Sequence, residues 1–232
     1  MKVIWGIVMK ITAVVPMKLN NRRLPQKNTK CFTNGRPLCH YILSTLLTVD
    51  GIDEVYVYCS NPDIQGFIPD GVKYLRRSSS LDEDTTKMNE VLQAFLLQVP
   101  ADIYVMTHAT SPFVSKTSIE KGLKAVCSGE YDSAFAAKKL QDFLWKDGKP
   151  FNYELDRIPR TQDLPFMYEE TSGFYIYRKE VMDLYNRRIG ENPYIVEVSG
   201  IEGIDIDEAE DFIIADAIYN HIFKDSGIRK GQ

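Results

Sequence analysis

The sequence predicts an α/β domain with a mainly parallel sheet and helices on both faces, a three-layer arrangement. Two observations carry the prediction. Short β-branched runs alternate with longer stretches of helical apolar spacing from Ile11 to Ala137, the order that builds a parallel sheet through crossover helices. The length of 232 residues, with 44% hydrophobic and 26% charged residues, suits one well-buried domain of ordinary soluble composition. Residues 1–232 therefore read as a single domain, with one excursion over residues 138–170.

The elements follow in order. "ITAVVP", from Ile11, is a buried strand. "PLCHYILSTLLTV" (Pro37–Val49) has helical apolar spacing, with Pro where a first turn tolerates it. "EVYVYC" is the next strand and "VKYL" a shorter one. "TTKMNEVLQAFLLQV" is an amphipathic helix with Thr85 or Thr86 as N-cap. "DIYVMT" is a strand, and "SKTSIEKGLKAVCSG" a helix that Ser115 caps and Gly129 ends. "YDSAFAA" follows as a strand. Beyond the excursion, "GFYIY" resumes the core, a short helix runs to the region of Arg187, and "PYIVEVS" is a further strand. "GIDIDEAEDFIIADAIYNHIF" leads into a closing helix. In sheets of this kind ligands bind at the carboxyl ends of the strands, which selects the loops after Pro16 and Thr107.

The excursion, Lys138–Glu170, is rich in aromatics, Pro and charge. "KDGK" is a hairpin-turn pattern between two aromatic strands, "DFLW" and "FNYEL". Such a hairpin must bury Phe143, Trp145, Phe151 and Tyr153 against something. A flap over its own domain and a dimerisation arm satisfy that equally well.

Composition narrows the function. A net charge of −4 gives no bulk electrostatic case for nucleic-acid binding. No run approaches the roughly 18 apolar residues that span a bilayer. The opening "MKVIWGIVM" is interrupted by Lys10 and has no small-residue cleavage site, so it reads as an upstream start, with Met9 as an alternative initiator, rather than a secretory leader. Cys31, Cys39, Cys59 and Cys127 form no C-x-x-C pair and read as reduced residues of a cytoplasmic protein. The tail "SGIRKGQ" is expected to fray.

Four stretches carry chemistry. The first loop, "MKLNNRRLPQKN", concentrates Lys18, Arg22, Arg23 and Lys27 with Asn20, Asn21 and Asn28 between a strand and a helix. Cations, amide donors and backbone N–H groups aimed at one point suit a triphosphate, although a solvated basic loop accounts for the charge alone. The P-loop pattern is absent. In "GIDIDEAED", Asp205 and Asp207 stand at i and i+2 of an extended segment and so share a face. Two such carboxylates suit Mg²⁺, which takes one or two and leaves places for phosphate oxygens. Asp207 also reads as an N-cap with Glu210 at N3, which leaves Asp205 unexplained. "THATSPFVS" offers His108, Thr110 and Ser111 to a ligand, and "LRRSSSLDEDTTK" places Arg77 and Asp84 between a strand and a helix. Either of these two alone reads as a surface loop.

In order and together, these stretches resemble the acylneuraminate cytidylyltransferase family, the CMP–sialic acid synthetases. The family's opening P-A-R-x-x-S-K-x-[LI]-P-x-K-N appears as "PMKLNNRRLPQKN", with Pro16, Leu24, Pro25, Lys27 and Asn28 matching. Its "SDT" appears as "EDT" at Glu83–Thr85, with Arg77 seven residues before the Asp. "LQPTSPLR" appears as "THATSPFV", "NGAIYI" as "SGFYIY", and "IDID" stands intact at Ile204–Asp207.

The resemblance implies a Rossmann-like nucleotidyltransferase that dimerises through the excursion. It implies CTP held by Lys18, Asn21, Arg22, Lys27, Asn28, Arg77 and Asp84, and Mg²⁺ held by Asp205 and Asp207. An acidic sugar beside His108, Thr110, Ser111 and the position of Glu170 would attack the α-phosphate. Lys27 and Asp207 would be the catalytic residues, and Asp207 or a metal-bound water the nearest candidate base. Departures fall mostly at the sugar end. Lys18 replaces an Arg, Asn21 a Ser, His108-Ala109 a Gln-Pro, and Glu170 an Arg that in the family helps hold the acidic sugar. A family Lys in the excursion has only Lys138 and Lys139 nearby. The expectation is a cytidylyltransferase whose acceptor differs from N-acetylneuraminate. A nucleotide-binding protein without turnover and a pyrophosphorylase using another nucleotide or sugar are the alternatives.

Overall fold

The run Ile11–Met17 is buried at every residue. A strand with no solvent face belongs in the middle of a sheet covered on both sides. The computed structural model, which describes residues 2–4 and 7–223, places it there. The strands are β1 (Lys2–Ile4), β2 (Ile7–Met9), β3 (Ile11–Met17), β4 (Glu54–Cys59), β5 (Lys73–Arg76), β6 (Ile103–Thr107), β7 (Ser133–Leu140), β8 (Trp145–Lys146), β9 (Lys149–Pro150), β10 (Met167–Arg178) and β11 (Pro193–Val198). The α-helices are α1 (Leu38–Thr48), α2 (Met88–Leu96), α3 (Lys116–Ser128), α4 (Lys179–Tyr185) and α5 (Ala209–Ile218). Seven strands form one sheet in the order β11-β7-β10-β6-β3-β4-β5.

Side-chain alternation separates two cores. Ala13, Val15, Val105, Phe174 and Ile176 point to the face covered by α1 and α3, where Ile42, Leu46, Ile119 and Val126 pack. Val14, Tyr104, Met106, Tyr175 and Tyr177 point to the opposite face, against Val91, Phe95, Val181 and Met182 of α2 and α4. Gly122 lets α3 lie close on the sheet: a Cβ there would stand 2.8 Å from Ile176 Cδ1. A smaller third cluster joins Leu24 and Phe32 of the first loop to Ile206 and Phe212 near the chain's end.

The sheet is parallel except for β10, which runs antiparallel to both β6 and β7. The reason is local. β7 delivers the chain to the carboxyl end, residues 141–166 return to that same end, and the next strand must run back. The turn of the excursion forms as its sequence predicts, with Asp147 at φ 53° and Gly148 at φ 74°, both positive as a type I′ turn requires. The paired strands are shorter than "DFLW" and "FNYEL": only Trp145–Lys146 pairs with Lys149–Pro150. Phe143 and Tyr153 stack edge-on at 4.8 Å, while Trp145, Phe151 and Ile158 stay exposed.

Other expectations shift by a turn or less. Pro37 precedes α1, Ser115 caps α3 by accepting from Ser118 N at 3.2 Å, and Gly129 ends it at φ 87°. α2 starts at Met88 rather than after Thr85 or Thr86, with Glu90 Oε1 accepting from Lys87 N at 3.4 Å. The opening apolar run pairs as the β1–β2 hairpin. The frayed tail expected over 226–232 lies outside the described residues. The four cysteines are free, and all but Cys31 are buried. Among the described residues, no helix is long and apolar enough to cross a membrane.

Candidate nucleotide site

The strand order reverses at β3, which has β4 on one side and β6 on the other. The loops after β3 and β6 leave the sheet in opposite directions there and open a crevice at the carboxyl ends. A cleft of ≈ 430 Å³ occupies this place, lined among others by Lys18, Lys27, Arg77, His108, Asp205 and Asp207. Asn21, Asn28 and Thr110 also line it.

The first loop turns its polar residues inward by a specific device. Gln26 takes a left-handed conformation, φ 55° and ψ 23°, and its carbonyl accepts from Thr29 N and Lys30 N at 2.9 Å each. The short 3₁₀ turn Lys27–Thr29 that follows carries Lys27 and Asn28 into the interior, at 8% and 5% exposure. A Lys so buried must be paired. Lys27 Nζ donates to the Ile206 carbonyl at 2.8 Å and to Asp207 Oδ1 at 3.0 Å. Asn28 Nδ2 donates to the Lys18 carbonyl at 3.0 Å, which closes the loop on itself.

The acidic segment is fixed from both sides. Ile206 is fully buried in the third core cluster, and its N–H donates to the Thr110 carbonyl at 2.9 Å. Asp205 and Asp207, its neighbours, both face the cleft. The helix behind them is capped one residue later than the sequence reading has it. Glu208, not Asp207, is the N-cap of α5, and Asp211 Oδ2, not Glu210, accepts from Asp207 N and Glu208 N at 2.9 and 2.8 Å. This leaves the Asp207 carboxylate for Lys27 and for Arg23 Nη2, 2.8 Å away. Burial alone would raise the pKa of Asp207, but the hydrogen bond and charge of Lys27, then of Arg23, outweigh it and hold the carboxyl below its usual range. Asp205 Oδ1 is buried with no hydrogen-bond partner among the described residues.

Every cation of the loop stands beside an acid. Lys18 Nζ lies 3.2 Å from Asp84 Oδ1, and Arg22 Nη1 lies 2.5 Å from Asp84 Oδ2. Arg77, 5% exposed, sends Nε and Nη2 to Asp82 Oδ1 at 3.0 and 2.5 Å, and Ser60 also hydrogen-bonds Asp82. Burial pushes the His108 pKa down; Asp205 opposes this, while Arg188 and Lys27 add to it, so the imidazole is neutral at pH 7.

Not every expected residue reaches the cleft. Arg22 and Asp84 line an adjoining hollow. Ser111 is buried at 1% exposure, its hydroxyl without a partner among the described residues. Glu170 does not line the cleft either. Its Oε1 accepts from Tyr175 OH at 2.5 Å. Sequence reasoning missed the contact of Arg23 with Asp207, and Glu83, Thr86 and Met88 from the loop into α2. It also missed Ser172, which lines the cleft within the stretch where β10 shifts register against β7, between Glu170 and Tyr175.

A solved CMP:2-keto-3-deoxy-manno-octonic acid synthetase complexed with CTP superposes with a TM-score of 0.68 at 18% identity, covering 91% of this chain and 98% of that one. The 4-diphosphocytidyl-2C-methyl-D-erythritol synthase of Anaerococcus prevotii gives 0.65 at 16% identity over 92% and 97%. At such identity the likeness is one of fold: a mainly parallel α/β sheet with helices on both faces. N-acylneuraminate cytidylyltransferase B of Danio rerio is 25% identical over 214 residues, 88% of this chain and 50% of its own length, so the chain spans half of that relative. The 3-deoxy-manno-octulosonate cytidylyltransferase of Escherichia coli is 23% identical over 198 residues, 77% of this chain and 76% of its own. The cytidylyltransferase family model matches residues 12–212, and the chain belongs to that family.

Proposed function

We propose that the protein transfers CMP from CTP to a hydroxyl of a sugar acid, releasing pyrophosphate. The observation that carries this reading is the buried Lys27 ammonium, held between the Ile206 carbonyl and Asp207 at the switch point of the sheet. In this reading Lys27 neutralises charge on the α-phosphate as the new O–P bond forms and the bond to pyrophosphate breaks. Lys18, Arg22 and Arg23 are exposed enough to exchange their carboxylate partners for the β- and γ-phosphates. Arg77, held by Asp82, adds a buried cation to the same cleft for the nucleotide.

The donor set fits Mg²⁺. Asp205 presents a buried, unpartnered carboxylate oxygen beside Asp207, and both offer the hard oxygen ligands the ion prefers. When bound there, the ion supplies charge neutralisation across the phosphates. Asp207 orients Lys27 through their hydrogen bond and holds negative charge beside it. The exposed aromatics of the excursion, with Trp145 and Phe151 each more than half exposed, support a homodimer formed through this arm.

Thermal denaturation with CTP, UTP, ATP and GTP, each with Mg²⁺, tests the nucleotide. CTP should raise the melting temperature most. A larger rise with another nucleotide would overturn the assignment.

A further inference from the structure

On the α2–α4 side of the sheet a guanidinium stands over an aromatic ring. Arg188 Cζ stands 4.0 Å from the centroid of Tyr175. Its loop is held by several contacts. Asn186 ends α4 in a left-handed conformation, its carbonyl accepts from Asn89 Nδ2 at 2.7 Å, and Ile189 packs against the second core. Asn89 adjoins Met88, which lines the cleft, so α2 ties this loop to the cleft lining.

The neighbouring acid does not consume the guanidinium. Arg188 Nη2 is 3.9 Å from Glu170 Oε1, beyond hydrogen-bond length, and that oxygen already accepts from Tyr175 OH. The Arg188 side chain keeps 26% exposure, and its charge reaches His108 in the cleft. A planar guanidinium fixed on a ring loses little freedom on binding and offers an edge suited to a carboxylate.

We infer that Arg188 receives the carboxylate of the acceptor sugar, with Glu170 as the weaker anion that faces it when the sugar is absent. The inference rests on the CMP-transfer reading. In it, the acceptor is an acid whose carboxylate Arg188 takes in place of Glu170.

Isothermal titration tests this, with cytidine 5′-(α,β-methylene)triphosphate and Mg²⁺ bound first. The probes are N-acetylneuraminate and 3-deoxy-manno-octulosonate, each against its methyl ester. The wild-type protein should bind at least one acid about tenfold or more tighter than its ester, the range of one charge-assisted pair. Arg188→Gln should bring that ratio near one, Arg188→Lys should keep part of it, and Glu170→Gln should tighten acid binding severalfold. Opposite effects of the two charge changes are not expected from mere structural damage. An unchanged ratio in Arg188→Gln, or a wild-type protein that binds neither acid or prefers the esters, would overturn the inference while analogue binding kept the nucleotide site. Failure of the analogue itself to bind would instead remove the CMP-transfer reading, and this inference with it.

Discussion

Replacing Lys27 by Met removes the ammonium while keeping most of the stem that fills the interior. Two short hydrogen bonds are lost, to Ile206 O at 2.8 Å and Asp207 Oδ1 at 3.0 Å. A hydrogen bond to a charged group contributes about 1.5–3 kcal/mol, and an acceptor left without a partner adds about 1 kcal/mol or more. Asp207 keeps Arg23, but the Arg23 side chain is 60% exposed, so that remaining pair is weak. The expected loss is about 2–4 kcal/mol, or roughly 5–10 °C in melting temperature for a chain of this size. Under the proposed function catalysis should suffer more, because the ammonium would act on charge that develops at the α-phosphate: kcat should fall by about 10²–10³. Calorimetry and pyrophosphate release read the two effects separately. A double-mutant cycle with Asp207→Asn should give a coupling of about 0.5–3 kcal/mol. Wild-type stability and kcat in Lys27→Met, or strict additivity in the cycle, would refute the reasoning.

Other expectations follow from particular contacts. Asp205→Asn removes a buried, unpartnered anionic oxygen, so in chelator its melting temperature should equal or exceed the wild type, while the Mg²⁺-dependent rise in the presence of CTP is lost; a retained rise would remove the metal assignment. Glu54, hydrogen-bonded by Lys10 and Lys73, has its pKa lowered from 4.5 to about 2. A depressed carboxyl contributes stability above its unfolded pKa and loses it as pH falls through the folded value, so Glu54→Gln should cost about 1 kcal/mol at pH 7 and clearly less at pH 2. Chemical denaturation at both pH values checks this. Gly122→Ala gains helix propensity of about 1 kcal/mol but forces Cβ to within 2.8 Å of Ile176 Cδ1, so a net loss of up to about 2 kcal/mol is expected by urea denaturation.

Much of the fold was legible because apolar strands alternate with stretches of helical apolar spacing. Ser115 and Gly129 mark α3 by local chemistry alone, and both serve as the sequence suggests. β10 was less legible. The direction of a strand depends on where the preceding segment leaves the chain, and nothing within "GFYIY" encodes that. The acidic cap moved for a similar reason. Asp207 is the plausible cap in sequence, but its carboxylate engages Lys27, 180 positions away in the chain, and Glu208 stands at the N-cap instead. The loop cations were readable as a group, but their partners were not: Asp84 binds both Lys18 and Arg22 across the gap between two loops. Arg188 carried no local mark, since a lone Arg after a short helix is ordinary until Tyr175 and Glu170 are found beside it.

Pyrophosphate release from CTP and Mg²⁺, measured against a panel of free sugar acids and neutral sugars, tests the central claim most directly. The account predicts release that requires both CTP and a sugar acid and that disappears in Asp207→Ala while the protein stays folded. Release from Asp207→Ala at the wild-type rate, or none with any sugar acid from a wild-type protein that CTP does not stabilise, would contradict it.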